Sequence, residues 1–211
     1  MLEILFATGN ETKGKRFQKG LLKNNIKTLT LKDINLDLNV EENGKDVIEN
    51  AAIKARECYG LTNKACMGMD DSMYLEGVPD DIQPGLFARR VNDKRLNDQE
   101  MLDYYISLVK KYGIDGKLNV KLIYGLVVIN NEGKEFSYTW EINNIYMVGT
   151  MSNIIEPGYP LNSITKYKGI NKYISEASEE DKEKVKVDER NVIDFIVKSI
   201  KGWYIWIILW I

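Results

Sequence analysis

The apolar positions change period several times along this chain, and each change marks an element. Leu2 to Ala7 is a short apolar run followed by Gly9, the pattern of a buried strand. From Glu11 to Lys23 the residues Phe17, Leu21 and Leu22 share one helical side, although Gly14 and Gly20 weaken that helix. Thr28 to Leu31 reads as a second strand. Asp46, with Glu49 three places on, gives a capping-box-like start, and Val47, Ile48, Ala51, Ala52 and Ala55 form the apolar face of a helix ended by Gly60. Ala65 to Met69 predicts a short strand running into Asp70-Asp71-Ser72 at its end, and a Gly-, Pro- and Asp-rich loop follows from Glu76 to Gly85. Asn97 with Glu100 caps a helix that stops near Tyr112-Gly113. Val120 to Ile129 and Glu135 to Val148 are β-rich runs joined by the hairpin turn Asn130-Asn131-Glu132-Gly133. Ser178 to Lys184 reads as a polar helical turn, and Asp188 caps a last helix with Val192, Ile193, Ile196, Val197 and Ile200 facing inward. The order predicts an α/β fold with a mixed central sheet, without internal repeats.

With 211 residues the chain suits one domain, or a domain with a lobe, able to bury a full core. Charged residues make up 28% and the net charge is −2, so a phosphate ligand needs a local cationic cluster, and nucleic-acid polymer is not an expected partner. Histidine is absent, which removes imidazole bases and His-ligated zinc. Acid–base and metal chemistry then falls to carboxylates, lysine, tyrosine and water, and carboxylate oxygens favour a hard cation such as magnesium. Cys58 and Cys66 have no metal spacing and read as packing residues in a reduced, cytoplasmic protein. No signal peptide pattern opens the chain. The tail Gly202 to Ile211 is almost wholly apolar but shorter than the ~20 residues needed to span a bilayer. It reads as a packed segment, an interfacial membrane contact or an extension of the chain, and no transmembrane span is expected.

Four constellations carry chemistry. At Thr8-Gly9-Asn10-Glu11-Thr12-Lys13 a strand breaks into a lysine-bearing helix, a corner whose backbone N–H groups suit an anion; such corners are also ordinary structural turns. Glu41-Glu42 precedes the helix on which Asn50 and Lys54 share a face, which reads either as a metal and phosphate site or as a solvated loop and helix face. On a strand, Asp70 and Asp71 must point to opposite sides, so one can bind metal while the other is structural. The basic residues Lys184, Arg190, Arg89 and Arg90 either close over a polyphosphate or are surface charge.

Taken in order, F-A-T-G-N-x-x-K at Phe6 to Lys13, E-E-N-G at Glu41 to Gly44, I-E-N-A-x-x-K-A-R at Ile48 to Arg56, D-D-S at Asp70 to Ser72 and P-G-x-x-A-R at Pro84 to Arg89 resemble the inosine triphosphate pyrophosphatase family, over Leu2 to about Ile200. The resemblance implies an elongated, two-lobed α/β fold with a nucleotide cleft between the lobes, a homodimer, and a single catalytic domain over residues 1–200 followed by the tail at 201–211. It implies magnesium-dependent hydrolysis of aberrant purine nucleoside triphosphates to the monophosphate and pyrophosphate. By position, Thr8, Gly9, Asn10 and Lys13 would hold the triphosphate, Glu41 and Asp71 the metal, and Asp71 would also be the general base. Ser72 and Lys54 would contact phosphate, and Lys184 and Arg190 would contact the nucleotide. Three departures stand out. Met73 takes the place of a glycine, Pro157-Gly158-Tyr159-Pro160 stands for F-G-[YW]-D-P, and Asp188-Glu189-Arg190 stands for S-H-R. Tyr159 and Glu189 therefore fall in an altered base pocket. The competing expectations are a non-catalytic or altered-specificity nucleotide-binding protein on the same scaffold, and membrane-surface attachment through Trp203 to Ile211.

Overall fold

The computed structural model describes residues 1–9, 11–92 and 94–202; Asn10 of the strand-to-helix corner and the tail beyond Gly202 lie outside the described residues. In chain order the elements are β1 (Leu2–Phe6), α1 (Glu11–Lys15), α2 (Gln18–Leu22), β2 (Ile26–Thr30), α3 (Val47–Thr62), β3 (Cys66–Leu75), β4 (Arg90–Val91), β5 (Lys94–Arg95), α4 (Asp98–Tyr112), β6 (Lys117–Ile129), β7 (Glu135–Val148), β8 (Thr165–Tyr167), α5 (Glu179–Lys184) and α6 (Arg190–Lys201), with short 3₁₀ turns between some of them. One sheet has the order β2-β1-β3-β6-β7-β8. β1 runs parallel to β2, Leu2 opposite Ile26, and parallel to β3, Leu5 opposite Cys66, whereas β7 and β8 are antiparallel. The fold is therefore α/β with a mixed central sheet, as the element order predicts.

The chain forms two compact units. The first holds residues 1–71, 124–140 and 188 onward. There β1, β3 and the end of β6 have both faces covered, and their side chains alternate between two sets of neighbours, whereas β7 leaves Glu135, Ser137 and Thr139 exposed on one face. Ile4 and Phe6 of β1, Met67 and Met69 of β3, and Leu126 and Val128 of β6 join the core beneath α6. Val127 and Ile129 instead meet Ala51, Ala52 and Ala55 of α3. Helix α6 delivers Val192, Phe195, Ile196, Val197 and Ile200 to the first of these cores, a stripe at helical spacing. The second unit, residues 72–123 and 141–187, has its own core of Met101, Leu102, Tyr105, Leu108 and Val109 from α4 packed on Leu118, Val120, Ile145 and Met147. The expected capping box is present there, with Asn97 accepting from the Glu100 N–H at 2.9 Å and the Glu100 carboxylate accepting from the Asn97 N–H at 2.9 Å.

Four sequence expectations change. Helix α3 is not ended by Gly60: it runs on to Thr62 and is closed by Asn63 in the left-handed region, φ 51°. The single helix over 11–23 is broken into α1 and α2. Phe17, at the break, is buried with its ring stacked on Phe6 at 6.3 Å, and a continuous helix already weakened by two glycines yields to that anchor. Asp70-Asp71-Ser72 do not end a strand: β3 continues through them to Leu75, while β1 stops at Phe6 opposite Met67. The last helix has Glu189, not Asp188, at its cap position; Asp188 accepts the Arg190 N–H at 3.0 Å, but Glu189 makes no side-chain cap.

Helix α3 approaches the sheet closely through two glycines. A Cβ on Gly68 would sit 2.1 Å from the Ala51 carbonyl oxygen and 2.9 Å from the Ala55 nitrogen, and one on Gly125 would sit 2.6 Å from the Val47 carbonyl. These neighbours are backbone and cannot swing aside. Gly68→Ala is therefore expected to cost about 3 kcal/mol of stability, at the upper end of overpacking penalties, read from the midpoint of urea unfolding. Gly60→Ala, in the same helix with open space around it, is expected to be neutral or to stabilise by up to ~1 kcal/mol.

Candidate active site

The site is assembled on the first unit. The chain enters it from β1, whose run of side chains is used up in the core, and Thr8 and Gly9 emerge beyond the strand end. The segment after β2 is held down by Leu36 and Leu38, which pack on Leu5, Ala7 and Leu31. It turns at Gly44, whose N–H donates to Asn50 Oδ1 at 2.8 Å. A side chain at position 44 would meet Glu49 Cβ and Asn50 Oδ1 at 2.7 Å. Asp46 then caps α3 by accepting the Ile48 and Glu49 N–H groups at 2.8 and 2.9 Å, and the Glu49 carboxylate accepts the Lys45 N–H at 2.8 Å. The E-N-G-x-D-x-x-E-N segment is thus a turn that fixes the start of α3 and, with it, the azimuth of Asn50 and Lys54 one turn apart.

Both of those side chains point at β3. Asn50 Nδ2 donates to Asp70 Oδ2 at 2.9 Å, and the Lys54 ammonium donates to Asp70 Oδ1 at 3.1 Å and to the Met69 carbonyl at 3.3 Å. Lys54 also meets the Glu42 carboxylate at 2.6 Å. Asp70 and Lys54 are nearly sequestered, with side chains 12% and 11% exposed, while Glu42 is 45% exposed. The next residue, Asp71, points the other way and is ion-paired with Lys13 of α1. The strand alternation thus divides the two carboxylates as the sequence requires: Asp70 is locked to α3, and Asp71 meets a lysine on a helix of only five residues. A cavity of about 350 Å3 is lined by Thr8, Gly9, Lys13, Glu42, Lys54 and Asp70, among others.

Of the residues named from the motifs, the structure brings together Thr8, Gly9, Lys13, Lys54 and Asp71. Glu42 rather than Glu41 reaches the cluster; Glu41 is exposed in the loop. Asn50 and Asp70 were visible only as a shared helix face and as half of an acidic pair, and the bond between them needs the packing of α3 to be known. Ser72 is buried on β3. In the second unit, Arg89 donates to the Gly158 carbonyl at 2.7 Å and pairs with Asp98 at 2.8 Å, so it ties the segment bearing Tyr159, an exposed residue, to the start of α4. Arg90 lies with its guanidinium 5.0 Å from the Phe87 ring. Lys184 forms an (i, i+4) surface pair with Glu180, and Arg190 pairs with Asp188 in the open. Glu189 is engaged by Arg16, whose Nε donates to it at 2.9 Å. That partnership across 173 residues leaves no trace in the sequence.

The donor set is all oxygen, as a hard divalent cation requires. Among the described residues no three acidic or thiol side chains converge into a ready-made metal cluster. A cation such as magnesium, which keeps several waters and uses one or two carboxylates plus substrate phosphates, needs no more than that. The carboxylates that could supply this are Glu42, which is 45% exposed, and Asp71, whose partner Lys13 lies at the cavity wall, since Asp70 is already taken by Lys54 and Asn50.

An α/β protein with a lysine- and carboxylate-lined cavity at the carboxyl end of its first strand is the class these observations define. Residues 4–143 match the model of the Ham1 family, and the chain belongs to that family. A dITP/XTP pyrophosphatase of Leptospira interrogans is 26% identical over 200 residues, covering 94% of this chain and 97% of that protein. A dITP/XTP pyrophosphatase of Wigglesworthia glossinidia brevipalpis is 28% identical over 211 residues, covering 96% and 98%. The fold matches the Staphylococcus aureus Ham1 protein with a TM-score of 0.69 at 17% identity, over 95% of this chain and 99% of that one.

Removing the Lys54 cation would leave Asp70 buried without its charge partner. Lys54→Met is expected to destabilise the protein by about 3–5 kcal/mol, and Lys54→Met combined with Asp70→Asn by clearly less than the two single changes together. Denaturant unfolding of the three variants checks both statements.

Proposed function

We propose that this protein hydrolyses nucleoside triphosphates to the monophosphate and pyrophosphate with a divalent cation, magnesium, and that residues 1–200 act as one catalytic domain. The observation that carries this reading is the grouping of Lys13, Lys54, Glu42 and Asp70 around one cavity with Thr8 and Gly9, with Asp71 ion-paired to Lys13 at its wall. The pyrophosphatase names of relatives aligned along nearly the whole chain support it.

Three carboxylates face two ammonium groups in this cluster, so without ligand it carries surplus negative charge and repels a polyphosphate. Glu42 and Asp71 would hold a divalent cation, which when bound would reverse that sign, supply positive charge to phosphate oxygens and make water more acidic. This assigns to Glu42 the role that the resemblance places on Glu41. The Lys13 side chain leaves Asp71 for the incoming phosphates, since it sits on a short helix at the cavity wall. Asp71, relieved of its partner, accepts a proton from water. The water oxygen bonds to the α-phosphorus, the bond to the α–β bridging oxygen breaks, and pyrophosphate leaves with that oxygen. Lys54, fixed by Asp70, contributes static positive charge to the phosphates. α1 is a single short turn with little macrodipole, so side chains and the exposed backbone of Gly9 do this work. Free thiols at Cys58 and Cys66 agree with a cytoplasmic setting, and the homodimer is carried over from the resemblance. Among the described residues no helix is long and apolar enough to cross a membrane.

Pyrophosphate release from a panel of ribo- and deoxyribonucleoside triphosphates, with and without magnesium, tests activity and base preference together. Turnover that vanishes on chelation is expected. Asp71→Asn is expected to lower kcat by at least about 100-fold, the scale of a lost general base. A panel with no turnover of any triphosphate, paired with nucleotide that binds and survives, would favour the non-catalytic alternative instead. Glu42→Gln is expected to raise the magnesium concentration for half-maximal rate about tenfold or more, the usual scale for weakening a metal site's ligand shell, and Glu41→Gln to leave it near the wild-type value. The reverse order returns the metal role to Glu41.

A further inference from the structure

We propose that Arg16 is a positioning residue for the hydrolysis: clamped by Glu189 and by the face of Tyr124, it holds the short helix α1 so that Lys13 stays at the cavity wall, within reach of both Asp71 and an incoming phosphate. The proposal rests on the reading of Lys13 and Asp71 given above.

The need for a clamp follows from the length of α1. A five-residue helix does not hold itself together in water, and Gly14 loosens it further. Lys13 and Arg16 are three apart and therefore neighbours on one side of the turn. Arg16 is the residue at which α1 gives way to the anchored Phe17, so its placement sets where Lys13 can reach.

Arg16 is held from three directions. Its Nε donates to the two carboxylate oxygens of Glu189 at 2.9 and 3.2 Å, and its Nη2 donates to the same carboxylate, a fork that lysine cannot form. The guanidinium lies 4.2 Å from the centre of the Tyr124 ring and 5.4 Å from that of Trp140, within cation–π range. Tyr124 in turn stacks on Trp140 at 5.0 Å and 15°, Tyr138 stacks on Phe195 at 5.1 Å, and both stacks pack against the core of the first unit. Glu189 sits at the cap position of α6 yet makes no cap, so its carboxylate is committed to Arg16. Burial alone would lower the Arg16 pKa, but the hydrogen bond it donates to Glu189 and the neighbouring Tyr124 more than offset it, leaving it raised. Burial raises the Tyr124 phenol's pKa, the Arg16 charge opposes that rise, and the Asp71 and Glu189 charges add to it.

A sequestered ion pair is a poor device for stability alone, because its desolvation cost largely cancels its attraction. Its yield is a fixed geometry. This assigns Glu189, which falls at the histidine position of the resembled S-H-R motif, to holding Arg16 rather than to reading the base.

The experiment is steady-state hydrolysis by Arg16→Ala, Glu189→Ala and the double variant, measured with saturating magnesium well below each melting temperature. Each single change is expected to lower kcat about tenfold to 100-fold, the scale of misplacing a group by around 1 Å, with KM moving less than about threefold. The double variant is expected to match the worse single, because the two residues act as one unit. Arg16→Lys, which keeps the charge without the fork, serves if Arg16→Ala does not fold, and is expected to lower kcat about threefold or more, short of the full loss for a misplaced group. Variants with lower melting temperatures but wild-type kcat, or losses that multiply in the double variant, would overturn the clamp. Asp71→Asn run alongside separates the two readings. If it is as fast as wild type, the assignment of the site fails; if it is inactive while Arg16→Ala keeps full kcat, only the clamp fails.

Discussion

Helix α3 lies against the sheet at a distance that no side chain at position 68 or 125 would permit, and the chemistry of the site depends on that approach. Because Gly68 lets the Ala51 and Ala55 backbone come down onto β3, Asn50 and Lys54 arrive with their polar ends at Asp70 rather than short of it. Alanines at 51, 52 and 55 continue the same logic, since their small side chains fill a thin layer against Val127 and Ile129. A larger apolar face would bury more area, at ~25 cal/mol per Å2, but would lift the helix and strand two polar groups without partners. The close approach exchanges apolar burial for a fully bonded Asp70, whose two oxygens are each occupied.

From that fixed carboxylate, β3 continues with Asp71 on its opposite side. The two acids then differ in what restrains their cationic partners. Lys54 is held on a sixteen-residue helix with a side-chain cap, whereas Lys13 is on a five-residue turn. In the proposed reaction that difference separates two roles. The restrained lysine provides charge in a constant place, and the less restrained one transfers from Asp71 to the substrate. A positioning element for Lys13 becomes necessary for the same reason that its mobility is useful, and the Arg16–Glu189 pair on its aromatic support is placed to supply it.

The sequence carries the local signals well. Asp46, Asn97 with Glu100, and the stripe on α6 are short-range patterns whose physics is complete within a few residues. What it hides are decisions made by distant packing. β3 runs past the acidic pair because it has a neighbouring strand along its length. The 11–23 helix breaks because Phe17 has a ring to stack on in β1. Glu41 and Glu42 cannot be told apart in a loop without periodicity; the one that meets Lys54 is set by how Leu38 packs and where Gly44 turns. The motif spacing could group Thr8, Lys13, Lys54 and Asp71, but not say that the lysines are already paired with carboxylates.

Those pairings bear on how a site without histidine controls its own reactivity. Each lysine that the proposed reaction needs is neutralised at rest, Lys13 by Asp71 and Lys54 by Asp70, and Glu42 adds a further negative charge. A polyphosphate alone meets repulsion, and a base still paired with an ammonium is a poor proton acceptor. In the proposed reaction a bound divalent cation would reverse the first condition, and the arrival of phosphate oxygens for Lys13 would relieve the second. Proton abstraction is thereby coupled to the presence of both ligands, which an imidazole base titrating near neutrality on its own would not guarantee. In the proposed reaction the pairs are a resting state that the charge of a metal–nucleotide complex would open.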